Sequence, residues 1–134
     1  GEANAIQPGK RPLSSMTPTI VCDQQGDAVL TTGSPGGSSI ITVVLQVLLN
    51  SIDFDMGIAE ATAAPRIHHQ WLPDKLRYER GISRDTLNLL SEMGHLLGDK
   101  PVRLGTTQSI SSNKHKIKYA ASDLRRQGSA AIPE

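Results

Sequence analysis

Thr32-Gly33-Ser34-Pro35-Gly36-Gly37-Ser38-Ser39 runs directly into an apolar stretch, Ile40 to Leu49, broken only by Thr42 and Gln46. It is the strongest local feature of the 134-residue chain. The apolar run is about ten residues, far too short to span a bilayer. Its β-branched content suits a strand, but its length, with continuation through Asn50 to Ile52, favours a buried helix. Ser38 or Ser39 supplies an N-cap. Upstream, Thr19-Ile20-Val21-Cys22 and Ala28-Val29-Leu30-Thr31-Thr32 flank Asp23-Gln24-Gln25-Gly26-Asp27, a hairpin by composition. The junction is therefore a glycine-rich turn between a strand and a helix.

Downstream, Asp55 can cap a short Ala-rich helix, Met56 to Ala63, which Pro65 ends by disfavouring helical geometry at Ala64. Arg66 to Glu79 has no clean period and reads as surface chain with some extended pairing. A third helix is expected from Arg84 to Met93, with Ser83 as N-cap and Gly94 as its stop. Leu87, Leu90 and Leu97, with Leu89 beside them, supply its apolar face. A second hairpin, Gln108 to Ser112 and Lys116 to Ala121, turns at Asn113-Lys114-His115. The tail from Gly128 is small and polar and is expected to be ordered only by a partner surface. The order β-β-α-α-(extended)-α-β-β gives an α+β fold with mostly antiparallel strands.

Composition narrows the function. Leu, Ile, Val and Phe make up about 24% of the chain, above the range of disordered sequences. The core must be aliphatic, because Phe54, Trp71, Tyr78 and Tyr119 are the only aromatics. With 14 basic and 13 acidic residues the net charge is +1, so no global field steers the chain toward nucleic acid or an acidic membrane. The lone Cys22 can build neither an internal disulfide nor a multi-thiolate zinc site; mid-strand, it reads as a small buried apolar residue. The opening Gly-Glu-Ala-Asn-Ala-Ile-Gln-Pro-Gly-Lys-Arg is polar and loop-like, so the sequence reads as a piece of a longer chain.

Three segments carry candidate chemistry. In the glycine-rich turn, backbone N–H groups can approach an anion closely, aided by the positive end of the helix dipole. The anion could be a phosphate or the oxyanion of an acyl-transfer intermediate. The phosphate patterns G-x-x-x-x-G-K-[ST] and G-x-G-x-x-G are not met, nor is the G-x-S-x-G nucleophile elbow. The plain alternative is a tight strand-to-helix connection. Pro12-Leu13-Ser14-Ser15-Met16-Thr17-Pro18 places two hydroxyls on a stiff loop, suited to a carboxylate or to bonding their own backbone. In Arg66-Ile67-His68-His69-Gln70-Trp71 the adjacent histidines point apart, so a structural histidine near Trp71 fits better than a metal site. Lys114, His115, Lys116 and Lys118, near Arg125 and Arg126, read as a solvated hairpin. Asp123 with Arg125 could form an ion pair. No nucleophile–base pair is visible.

Together, Pro12 to Val21, Thr32 to Ser38 and Ala64-Pro65-Arg66-Ile67-His68-His69-Gln70-Trp71-Leu72-Pro73-Asp74 resemble the γ-glutamyltransferase (glutathione hydrolase) family, in the C-terminal part of its small subunit. Thr106-Thr107-Gln108-Ser109-Ile110 and Ala120-Ala121-Ser122-Asp123 continue the likeness in order, so that it covers Lys10 to Arg126. The resemblance implies a fragment of the N-terminal-nucleophile hydrolase αββα sandwich and a self-cleaving precursor. It implies cleavage of the γ-glutamyl amide of glutathione and related compounds, with transfer to water or to an amino-acid or peptide acceptor. The acyl-enzyme would form on an N-terminal Thr upstream of Gly1, and the chain alone would be inactive. Ser14 and Ser15 match the serine pair that binds the substrate α-carboxylate. Gly36 and Gly37 match the pair whose N–H groups form the oxyanion hole. No metal or organic cofactor is implied. The implied partners are the large subunit and the upstream part of the small subunit, with no nucleic acid and no membrane contact by this segment, in an extracytoplasmic setting. Leu124 stands where the family commonly has Pro, so the terminal turn is expected to differ. Cys22 replaces an aliphatic residue, and the ending Ala131-Ile132-Pro133-Glu134 is unusual. The rival expectation is a non-catalytic structural or assembly fragment, which as a homo-oligomer would cover its open sheet edges.

Overall fold

A computed structural model describes residues 1–129. The ending Ala131 to Glu134, and most of the tail expected to need a partner, lie outside the described residues. Among the described residues six strands and three α-helices follow the expected order: β1 Thr19–Cys22, β2 Ala28–Gly33, α1 Ile40–Ile52, α2 Ile58–Ala63, β3 Ile67–His68, β4 Arg77–Tyr78, α3 Arg84–Glu92, β5 Gln108–Ser112 and β6 Lys118–Ser122. The main sheet has the order β1-β2-β5-β6 and is antiparallel throughout, while β3 and β4 form a two-residue ribbon.

Burial explains why the β-branched run is helical. Ile40, Val43, Val44 and Val47 are buried at helical spacing, and packing of such a stripe outweighs weak intrinsic propensity. Leu30 of β2, Val47 of α1, Ile58 of α2 and Ala121 of β6 form one cluster, with Val21 and Leu48 against it. Helices thus cover one face of the sheet. On the other face the register Ile20–Thr31–Ile110–Ala120 crosses all four strands, and Ile20 and Ile110 remain exposed.

Several expectations are corrected. Neither expected serine side chain caps α1: a 3-10 turn, Gly37–Ser39, precedes the helix, and Ser39 is already in helical geometry. Helix α2 begins at Ile58 behind Gly57 rather than at Met56 behind Asp55. Asp55 sits at φ +53° in the turn that ends α1, where the Met56 N–H donates to Asn50 O, so it belongs to the earlier helix terminus. Helix α3 is capped by Ser83, whose Oγ accepts from the Thr86 N–H. None of its residues is buried, however; Leu87 and Leu90 are half-buried and Leu89 is exposed. The return strand of the second hairpin starts at Lys118, because Lys116, at φ +60°, is spent in the turn. Cys22 is exposed: it ends β1 at a register irregularity, opposite Ala28. Arg125 does not belong to the basic hairpin surface but turns inward, as described below.

Candidate functional site

Pairing register brings the distant motifs to one end of the sheet. Thr19 at the start of β1 faces Thr32 near the end of β2, so the Ser14-Ser15 loop enters where the glycine turn leaves. Gly33 faces Gln108, and Gln108 faces Ser122, so the Leu104–Thr107 loop and Asp123 reach the same end. A cavity of about 720 Å³ lies elsewhere, among Leu30, Ile52, Ile58 and Tyr119, and none of Ser14, Ser15, Gly36 and Gly37 lines it.

Gly36 and Gly37 are exposed and both have positive φ, +148° and +57°. Neither N–H donates to another group among the described residues. Two open donors beside the start of a 13-residue helix can receive an anion, since the helix N-terminus carries about half a positive charge. The turn is held from both sides. Ser39, buried, donates from both N and Oγ to Gly36 O, at 3.2 and 2.8 Å. Ser34 Oγ donates to Pro35 O at 2.7 Å and accepts the Thr106 N–H at 3.0 Å.

The serine pair is less constrained. Ser14 is exposed and its Oγ accepts the Met16 N–H at 3.2 Å, while Ser15, half-buried, accepts Thr17 Oγ1 at its carbonyl. The backbone-bonding alternative is therefore realised at Ser14. The Ser14 O–H and the Ser15 hydroxyl still offer donors, because the Oγ of Ser14 is used only as an acceptor. No hydrogen bond joins this pair to the glycine turn among the described residues.

His68 is the structural histidine: it is buried, with Nδ1 2.7 Å from Thr42 Oγ1 and Nε2 2.9 Å from Gln70 Oε1. Ser38 Oγ donates to the same Gln70 oxygen, which ties the Arg66–Asp74 segment to the glycine turn. His69 points outward and meets Asp74 at 3.0 Å. Trp71 is largely exposed, so it does not pack as a wall on a buried histidine. Among the described residues no three His, Cys, Asp or Glu side chains are grouped to hold a metal ion.

Sequence reasoning missed a buried ionic cluster. Asp123 and Arg125 do pair, at 3.0 Å, but Arg66 and Glu79 join them. Asp123 Oδ2 accepts the Thr107 N–H and an Arg66 N–H at 2.9 and 2.8 Å. Glu79 accepts the Arg66 and Leu104 backbone N–H groups and the Arg125 guanidinium. Arg66 also donates to Leu104 O and Thr62 O, and Arg125 to Thr62 O and Ala64 O. Two cations and two anions balance, and nearly every lone pair is used, which is the condition under which a buried ionic cluster is tolerated. Burial alone would raise the Asp123 pKa, yet the Arg125 and Thr107 N–H groups and the Arg66 charge together hold it below the usual carboxylate value. Burial, then the neighbouring Arg125, lower the Arg66 pKa. Burial would also lower that of Arg125, but its bonds to Glu79 and Asp123 keep it raised. The sequence signal was partial: Asp123 stands two residues before Arg125, whereas no acid lies within five positions of Arg66. The turn after Asp123 closes with Leu124 in place, the Arg126 N–H donating to Asp123 O at 3.3 Å.

The cluster clamps Leu104 and Thr107, and between them Gly105 presses on the glycine turn. A Cβ on Gly105, at φ +62°, would lie 2.5 Å from Ser34 Oγ and 3.1 Å from Pro35 O.

This antiparallel sheet with helices on one face is an α+β portion of the N-terminal-nucleophile hydrolase sandwich, the architecture of its structural neighbours. The chain belongs to the gamma-glutamyltranspeptidase family, whose model matches residues 1–132. It is 57% identical over 125 residues to a glutathione hydrolase proenzyme of Escherichia coli, covering 93% of this chain and 21% of that protein. A gamma-glutamyltranspeptidase from Pseudomonas nitroreducens, solved in complex with L-DON, superposes with a TM-score of 0.87 at 41% identity, over 98% of this chain and 69% of that one. The T380A mutant of Helicobacter pylori gamma-glutamyltranspeptidase gives 0.83 at 48% identity, over 94% and 69%. The chain thus spans about a fifth of the length of its curated Escherichia coli relative.

Proposed function

We propose that this chain is the C-terminal portion of the small, catalytic subunit of a γ-glutamyltransferase whose parent cleaves the γ-glutamyl amide of glutathione and related compounds. The nucleophile is an N-terminal Thr on a part of the parent outside this chain, freed when the precursor cuts itself. Its Oγ attacks the γ-carbonyl while its α-amine takes the proton. The negative charge that develops on the former carbonyl oxygen is received by the Gly36 and Gly37 N–H groups. Collapse expels the amine, which carries the proton away, and leaves a γ-glutamyl ester on Thr. Water or the amine of an acceptor amino acid or peptide then attacks that ester through the same oxyanion and regenerates Thr. Ser14 and Ser15 donate to the substrate α-carboxylate and fix its distance from the nucleophile. The large subunit and the remainder of the small subunit complete the pocket, in an extracytoplasmic setting, and this chain alone turns nothing over.

The observation that carries this reading is the pair of open amides ahead of α1, on a chain matched by the family model over residues 1–132. The test is release of chromophore from a γ-glutamyl anilide by the self-cleaved parent, with this chain alone assayed beside it. Turnover by the parent and none by the chain alone is the expected result. A folded, self-cleaved parent with no turnover overturns it and favours a non-catalytic structural fragment.

A further inference from the structure

In a trans peptide the carbonyl and the next residue's N–H lie in one plane and point in opposite directions. The only cis peptide among the described residues is Leu72–Pro73, so this rule governs the glycine turn. The Pro35 carbonyl shares its plane with the Gly36 N–H, and the Gly36 carbonyl with the Gly37 N–H. Each carbonyl is held by a serine hydroxyl: Pro35 O by Ser34 Oγ at 2.7 Å, Gly36 O by Ser39 Oγ at 2.8 Å.

We infer that Ser34 and Ser39 are positioning residues that aim the two N–H groups by gripping the opposite edge of their peptide planes. This rests on the assignment of those amides to the oxyanion. Glycines are the residues least able to hold a direction by themselves, since they lack the Cβ that restricts φ and ψ. An oxyanion site needs donors that do not have to reorient as charge develops. The two hydroxyls supply that restraint without touching the substrate.

The surroundings are shaped for them. Ser39 is buried, and a Cβ at Gly36 would lie 2.9 Å from its Oγ. Ser34 Oγ also accepts the Thr106 N–H, which directs its proton toward Pro35 O and passes the rigidity of the ionic cluster to the turn. Gly105 leaves the space that the Ser34 hydroxyl fills.

The experiment compares Ser34→Ala, Ser34→Thr, Ser39→Ala and Gly105→Ala with the wild type in the self-cleaved parent. It reads kcat and KM on a γ-glutamyl anilide, inhibition by a γ-glutamyl-like boronic acid that mimics the tetrahedral intermediate, and crystal structures of Ser34→Ala and the wild type. Expected are a kcat lower by about tenfold in Ser34→Ala and Ser39→Ala, less than the hundredfold or more of losing an oxyanion donor outright, and a KM within about twofold. Boronate inhibition should weaken in step with kcat/KM. Ser34→Thr keeps the hydroxyl and should restore kcat, whereas Gly105→Ala displaces Ser34 and should reproduce the Ser34→Ala loss. In the Ser34→Ala crystal the Pro35–Gly36 peptide should rotate. An unrotated peptide, or a kcat within twofold of wild type in Ser34→Ala, overturns the inference, and this holds even if Ser39→Ala fails to fold. A parent with no γ-glutamyl turnover but a rotated Ser34→Ala peptide overturns the proposed reaction and leaves the positioning geometry standing.

Discussion

A side chain at Gly36 must adopt φ +148° and place its Cβ 2.9 Å from Ser39 Oγ, whereas at Gly37, φ +57°, it meets nothing within 4 Å. The two glycines therefore fail differently when substituted. Gly36→Val should lower kcat of the parent by about a hundredfold or more, the scale of a lost oxyanion donor. Gly37→Ala, facing only the left-handed backbone cost of about 1–2 kcal/mol, should keep most of its activity. Equal losses in steady-state assays would argue against this steric distinction. The serines answer to a different constant. In the proposed role, Ser14→Ala with Ser15→Ala removes two hydroxyl donors to the substrate carboxylate, each about 1.5–3 kcal/mol. KM for the γ-glutamyl donor should rise by at least tenfold; an unchanged KM removes the carboxylate role.

At the scale of elements, the ionic cluster joins the end of α2, strand β4 and its flank, the Leu104–Thr107 loop and the turn after β6. Removing one partner strands another buried charge, which costs about 3–5 kcal/mol. Arg66→Met and Asp123→Asn should lower the denaturation midpoint of the parent accordingly. Because the loop they hold presses on Ser34, any folded variant should also lose kcat. The pH dependence has a definite sign. The folded Asp123 pKa lies below its unfolded value, so its stabilisation is full above the ordinary carboxylate range and drains away as pH falls below about 4. Melting temperatures between pH 6 and pH 3 should therefore fall more steeply in wild type than in Asp123→Asn. Parallel curves would show that Asp123 titrates alike in both states.

The whole molecule presents apolar surface on both sides of its layer. Ile41, Leu45, Leu49 and Ile52 form a stripe on the outer side of α1, from 38% to 58% exposed, and Ile20 and Ile110 face outward from the sheet. Surfaces of this kind are covered in stable assemblies. The isolated chain should associate with itself, and Ile41→Lys with Leu45→Lys should reduce that association in sedimentation velocity. A monodisperse wild-type monomer would show that these faces tolerate water.

Local rules were enough for much of the fold. Turn chemistry, the Ser83 cap, the Pro65 stop and hydrophobic spacing set strands β1 and β2, helix α1 to its last residue and the order of elements, because each depends on neighbours a few positions away. The glycine turn and serine loop stood out as candidates for the same reason: the roles proposed for them rest on short runs of residue types. What the sequence left open depends on register between distant strands. Only the pairing of Thr19 with Thr32, Gly33 with Gln108 and Gln108 with Ser122 brings four loops to one end of the sheet. Only that convergence turns Arg66, Glu79, Asp123 and Arg125 into one cluster and sets Gly105 against Ser34. Asp55 shows the same limit at short range, since its side chain suits a cap while the end of α1 had already claimed its backbone. Residue type determined what each group can do; tertiary structure decided which groups meet, because hydrogen bonds and ion pairs act over about 3 Å and the partners here stand up to 89 positions apart.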